Sequence, residues 1–178
     1  MNMPTFAFTQ TNPNFVRAIV TDAEVSCPHV NNPNAEFVKT SALWDTGASN
    51  SVITPSLVSK LGLKPISQVK NRHAGGESIA DVYMVDIALP NRLVIPNVRV
   101  SKCADQGDSF GMIIGMDIIS LGDFSVSGQQ QRRMVSFCLP SSVYVDYVQM
   151  LRQRDEYLAQ QRSQQDNQQN KQNQAETT

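Results

Sequence analysis

The chain has 178 residues, 40% of them apolar and 17% charged, with a formal net charge of −1, which frames one soluble domain with a modest core plus appendages. A balance this close to neutral gives no reason to expect nucleic acid as a partner, and no stretch nears the roughly 18 apolar residues that a membrane helix needs. Residues 1–14 lack the basic cluster and apolar run of a signal peptide, so a cytoplasmic location is the default expectation.

In chain order, residues 1–14 read as a flexible N-terminal segment. Phe15 to Cys27, with Val16, Ile19, Val20 and Val25, and the alternating stretch Glu36 to Trp44 read as strands. The second runs abruptly into Asp45-Thr46-Gly47. After Ser51-Val52-Ile53, Thr54 caps and Pro55 opens a short helix through Lys60, stopped by Gly62. Ile79 to Leu89 and Leu93 to Val100 are β-branched runs joined by Pro90-Asn91, which predicts a hairpin. Met112 to Leu121 is an apolar run broken by Gly115, and Phe124–Ser127 and Arg133–Leu139 flank a turn at Gly128. Many short strands at this spacing predict a mainly β fold, a small closed barrel or antiparallel sheet with short helices, over residues 15–140. Ser141 and Ser142 then cap a C-terminal helix over 141–158, whose apolar face packs on the domain or serves as a docking or dimerisation surface. Residues 159–178, mostly Gln, Asn, Ser and charges, read as a disordered Gln-rich tail.

Cys27, Cys103 and Cys138 are odd in number and widely spaced, which argues against a disulfide framework; Cys27 with the nearby His29 is too little for zinc. Asp105, Asp108 and Asp123 lie in Gly-containing loops without a calcium-loop pattern. No metal or cofactor is expected.

The informative motif is Leu43-Trp44-Asp45-Thr46-Gly47-Ala48-Ser49. An apolar strand delivers an acid at its tip, Gly47 lets the backbone turn tightly, and small residues follow so that another group can approach the carboxylate. Asp, Gly and Ser also favour ordinary turns for local reasons. About seventy residues later, Met112-Ile113-Ile114-Gly115-Met116-Asp117-Ile118-Ile119 repeats the theme of an apolar pair, a Gly, and helix-like residues.

Together the two elements resemble the retropepsin branch of the aspartic proteases, where the strand carrying Asp-Thr-Gly is threaded beside one ending in two apolar residues and Gly. The resemblance implies a retropepsin-like single-lobe acid protease fold. It makes Asp45 the catalytic acid, Thr46, Gly47, Ala48 and Ser49 its supporting loop, and Ile113, Ile114 and Gly115 the strand that holds that loop. Retroviral members commonly pair an acid two places after the motif Gly with an Arg after the late Gly. Ser49 and Met116 stand there instead, so the chain looks more like the cellular and bacterial single-domain members, with Ser49 available to support the loop by hydrogen bonding. Asp117 is implied to be structural, capping the turn or helix after it.

Metal-free amide hydrolysis needs one carboxylate to take a proton from water and a second acid to protonate the carbonyl oxygen. Two adjacent carboxyls share one proton and supply both roles, as aspartic proteases do. The chain has no second Asp-Thr-Gly or Asp-Ser-Gly, so a homodimer pairing two Asp45 residues is expected. The resemblance further implies that Thr46 bonds across the dimer axis and that an extended polypeptide substrate lies between the subunits. His73-Ala74-Gly75-Gly76 would then form a flap over that substrate. Two other readings remain open: a noncatalytic dimer binding extended peptides in the same cleft, and an assembly piece whose working parts are the terminal helix and tail.

Overall fold

The computed structural model describes residues 6–14, 16–73, 76–103, 109–128 and 132–175. It divides into two compact units, Met1–Ser142 and Val143–Thr178.

In the first unit the described strands are β1 (Phe6–Asn12), β2 (Ile19–Ser26), β3 (Val38–Trp44), β4 (Val52–Ile53), β5 (Ser67–His73), β6 (Gly76–Leu89), β7 (Leu93–Lys102), β8 (Met112–Ile114), β9 (Asp123–Ser127) and β10 (Arg133–Leu139). Helix α1 (Pro55–Leu61) lies between β4 and β5, and α2 (Met116–Ile119) follows β8. Hydrogen bonding runs β2-β3-β8-β4-β7-β6, and β6 pairs back onto β2, which closes a six-stranded barrel; β5 hangs from the outside of β6. β3–β8 and β4–β7 are parallel and the other pairs antiparallel. The expected mainly β fold, a small closed barrel with short helices, is thus present.

The barrel closes because its strands alternate. Val25, Ala42, Val85, Ile87, Ile114 and Val100 point inward and are fully or almost fully buried, each removing apolar surface from water at roughly 25 cal/mol per Å². α1 starts where its local chemistry dictates. The Thr54 hydroxyl accepts from the Leu57 N–H at 3.4 Å, Pro55 takes the first turn, and Gly62 stops it in the left-handed region at φ 60°.

The N-terminal segment departs from its expected flexibility. Phe6–Asn12 forms β1, which pairs with β10 in a three-stranded sheet ordered β1-β10-β9. Phe8 drives this: it is buried, with its ring centroid 6.0 Å from Trp44 and 6.4 Å from Phe137. Trp44 also stacks on Phe124 at 5.0 Å and donates its indole N–H to the Thr21 hydroxyl at 3.0 Å. The residue just before Asp45 is therefore fixed by an aromatic cluster and a satisfied hydrogen bond.

One buried acid ties the barrel's far wall. Asp86 accepts from the backbone N–H groups of His29 (2.9 Å) and Asn97 (2.8 Å) and from His29 Nδ1 (2.9 Å). Burial pushes its carboxyl up, but the Asn97 and His29 donors outweigh burial and hold it below the usual carboxylate range. A depressed folded value means that the contribution to stability is fully present above the unfolded value of about 3.9 and is lost as pH falls through the folded value. Asp86→Ala is expected to cost about 2 kcal/mol at neutral pH by removing the shared acceptor of the part-buried His29 and Asn97 N–H groups. Denaturant titrations should show the gap between wild type and variant flat at neutral pH and narrowing only in the acid range below about pH 4.

The second unit carries α3 (Tyr147–Ala175). Its cap is Asp146, whose carboxylate accepts from the N–H groups of Val148 (2.9 Å) and Gln149 (3.1 Å). Ser141 and Ser142, expected as caps, instead bond Asp123 in the first unit. The stretch expected to be disordered from residue 159 is helical through Ala175. Gln, Arg and Lys are good helix formers, and no Pro or Gly follows Pro140 to break the run. No helix among the described residues is long and apolar enough to cross a membrane.

Candidate active site

The site is built where two parallel strands end side by side. β3 delivers Asp45 and β8 ends in Ile113-Ile114, followed by Gly115, the strands being paired in the register Ala42↔Met112, Leu43↔Ile113, Trp44↔Ile114. The Asp45 N–H donates to the Ile114 carbonyl at 3.0 Å, extending the ladder by one bond past the strand. The chain then turns: Ala48 N–H donates back to the Asp45 carbonyl at 3.2 Å, and Gly47 N–H donates to Asp45 Oδ1 at 2.8 Å. That last bond aims the carboxylate and leaves Oδ2 for other partners. Asp45 is half-buried, and Thr46, Gly47 and Ser49 are exposed beside it.

Beneath the loop, the Ala48 carbonyl accepts from Met116 N–H at 2.8 Å and the Ser49 carbonyl from Asp117 N–H at 3.2 Å. Gly115 fits only as glycine. A Cβ there would lie 2.7 Å from the Asn50 carbonyl carbon, 2.8 Å from its oxygen and 2.9 Å from the Ala48 oxygen, all backbone atoms.

A polar knot that sequence reasoning missed locks this arrangement. Ser51, fully buried, donates its hydroxyl to Asp117 Oδ1 at 2.8 Å and accepts from Gly115 N–H at 3.0 Å, while its N–H donates to Asp117 Oδ2 at 2.9 Å. Ser49 bonds within the loop through its carbonyl, while the hydroxyl beneath the loop is that of Ser51. Asp117, expected to cap the turn or helix after it, accepts at Oδ1 from the adjacent Ile118 N–H at 3.0 Å and at both oxygens from Ser51. Nothing local marks Ser51, because its partners lie 64 and 66 positions away. Ser51→Ala would leave Gly115 N–H without its partner and remove one of the two donors to Asp117 Oδ1, for an expected loss of about 2 kcal/mol in chemical denaturation. Ser51→Thr, which keeps the hydroxyl but adds a methyl, should recover part of it.

His73 and Gly76 face each other as the last cross-strand pair of the β5–β6 hairpin. Ala74 and Gly75, the expected flap tip, lie outside the described residues. β5 pairs only with β6, so this hairpin lies outside the closed ring of strands. Asp105 and Asp108 also lie outside the described residues.

A family model described as aspartyl protease matches residues 29–118, about half of the chain. No curated protein matches it. Among solved structures, a retropepsin-like aspartic protease from Rickettsia conorii is similar at TM-score 0.50 and 16% identity, covering 78% of this chain and 98% of that one. The simian foamy virus (mac) protease gives a TM-score of 0.39 at 18% identity, covering 57% of this chain and 92% of its own. A retroviral protease-like domain from Leishmania major gives 0.39 at 17%, covering 60% and 79%. The matched span contains both the Asp45 loop and the Ile-Ile-Gly strand beside it, within a closed barrel of the same fold as the Rickettsia protein; the chain therefore belongs to the aspartyl protease family, with a retropepsin-like fold.

Proposed function

We propose that the protein is an aspartic endopeptidase that works as a homodimer, hydrolysing peptide bonds with a water molecule activated between the Asp45 carboxylates of two chains. The observation that carries this reading is the held carboxylate: a half-buried Asp45 oriented by Gly47 N–H at 2.8 Å, on a loop pinned from below by Gly115, Ser51 and Asp117. Such rigidity is what positioning a nucleophilic water requires. A cavity of about 440 Å³ lies between Asp22, Phe37, Pro90 and Arg92, and Asp45 is not among its walls. A cleft completed only by a second chain accounts for a carboxylate displayed in the open.

In the proposed dimer the two carboxyls share a proton. One takes a proton from water as the other protonates the scissile carbonyl oxygen, giving a neutral gem-diol that collapses with proton transfer to the leaving amine. Thr46, exposed next to Asp45, bonds across the axis and fixes the pair. Gly47 and Ala48 offer backbone to an extended substrate, and the β5–β6 hairpin, with His73 and Gly76 at its described end, closes over it.

The test is digestion of an unfolded protein mixture by purified protein over roughly pH 4 to 8 and a range of concentrations. Cleavage that rises faster than linearly with protein concentration is expected. A folded, self-associated protein that cleaves nothing would favour a noncatalytic peptide-binding dimer instead.

A further inference from the structure

α3 holds an exposed apolar stripe that no described residue of its own unit covers. Tyr147 is 63% exposed, Val148 59%, Met150 55%, Leu151 50%, Tyr157 59% and Leu158 42%. At 100° per residue, Tyr147, Leu151 and Leu158 lie within about 40° of one another, flanked by Met150 and Tyr157 on one side and Val148 on the other. Arg152, Glu156 and Gln160 occupy the opposite face. The spacing alternates four and three: Tyr147, Leu151, Arg154, Leu158, Gln161, Gln165. This is the four-three spacing of a coiled-coil seam, with apolar residues at three of its six positions and polar residues at the others.

We infer that this stripe is a self-association surface, occupied by α3 of a second copy. Three observations favour that occupant. The six exposed side chains present on the order of 700 Å² per helix, so a pair would cover on the order of 1,400 Å², within the roughly 1,200–2,000 Å² of stable interfaces. Arg154, the one charge on the seam, is already neutralised by Asp155 at 2.8 Å, so an identical stripe brings no uncompensated repulsion. The helix also lacks the Lys/Arg-rich polar face of a helix that lies on lipid. The choice of a second copy rests in addition on the two-chain reading above. Pairing of α3 raises the local concentration of the catalytic units and lowers the protein concentration at which they meet. The second unit thus acts as an assembly handle for the first.

Sedimentation equilibrium on the full chain tests this, with L151K/L158K to break the stripe and Q161L/Q165L to extend it. Near-ultraviolet circular dichroism of Trp44 checks that the barrel is intact in each. L151K/L158K is expected to weaken self-association roughly a hundredfold, and Q161L/Q165L to tighten it. Cleavage by L151K/L158K should fall at low concentration and recover at high concentration. A wild-type chain that is monomeric at about 100 µM, or a self-association constant that neither variant moves, would overturn the inference. Unmoved association with cleavage still second order in protein would remove helix pairing and leave the two-chain protease standing. Association lost in L151K/L158K, in a protein that never cleaves, would do the reverse.

Discussion

Asp45→Asn is expected to lower kcat by about 10⁴-fold or more, since an amide neither takes a proton from water nor shares one with its partner. The substitution is close to isosteric and keeps an oxygen able to accept from Gly47 N–H, which now lies at 2.8 Å. Because Asp45 is half-buried and makes no ion pair among the described residues, stability should stay within about 1 kcal/mol of wild type. The variant should therefore remain folded, self-associate, and bind extended peptides without cutting them. Single-turnover cleavage of a protein mixture, followed by mass spectrometry, reads the first expectation, and peptide binding by fluorescence anisotropy reads the last. Cleavage retained within tenfold would move the chemistry to another group.

Gly115→Ala should do comparable damage by a different route. The added Cβ would meet Asn50 backbone at 2.7 Å and the Ala48 oxygen at 2.9 Å, and neither can move without dragging the Asp45 loop. Overpacking of this kind costs about 1–3 kcal/mol. The larger effect is on activity: Ala48 accepts from Met116 N–H and Asn50 adjoins Ser51, so a displaced loop tilts the carboxylate, and a shift of about 1 Å costs on the order of 100-fold in rate. The expected result is a folded protein, destabilised by about 2 kcal/mol, with cleavage reduced on the order of 100-fold. Normal activity in a stable Gly115→Ala protein would show that the loop does not depend on this close approach.

What the sequence made legible was mostly local. Thr54, Pro55 and Gly62 carry the whole start and stop of α1 in their own chemistry. The β-branched runs Ile79–Leu89 and Leu93–Val100 joined by Pro90-Asn91 marked the β6–β7 hairpin, and the motif pair marked β3 beside β8. The misses share one cause, distance along the chain. Phe6–Asn12 looks unremarkable until Phe137 and Trp44 provide a place for Phe8, and those residues come from β10 and β3. Ser51 is one serine among many until Gly115 and Asp117 arrive beside it. The Asp86 and His29 contact, 57 positions apart, has no sequence signature. In α3 the difference runs the other way: polarity suggests disorder, whereas a Gln-rich run without Pro or Gly needs no core to be helical in its backbone preference.

The central claim is that each active centre uses one Asp45 from each of two chains, and mixing tests it most directly. Wild type and Asp45→Asn are combined in equal amounts, unfolded, and refolded together so that chains pair at random. If two intact Asp45 residues are needed, only wild-type pairs cut, and activity should be about one quarter of that given by the same total of wild-type chains. Activity of about one half would mean that each wild-type chain works alone, and would contradict the account.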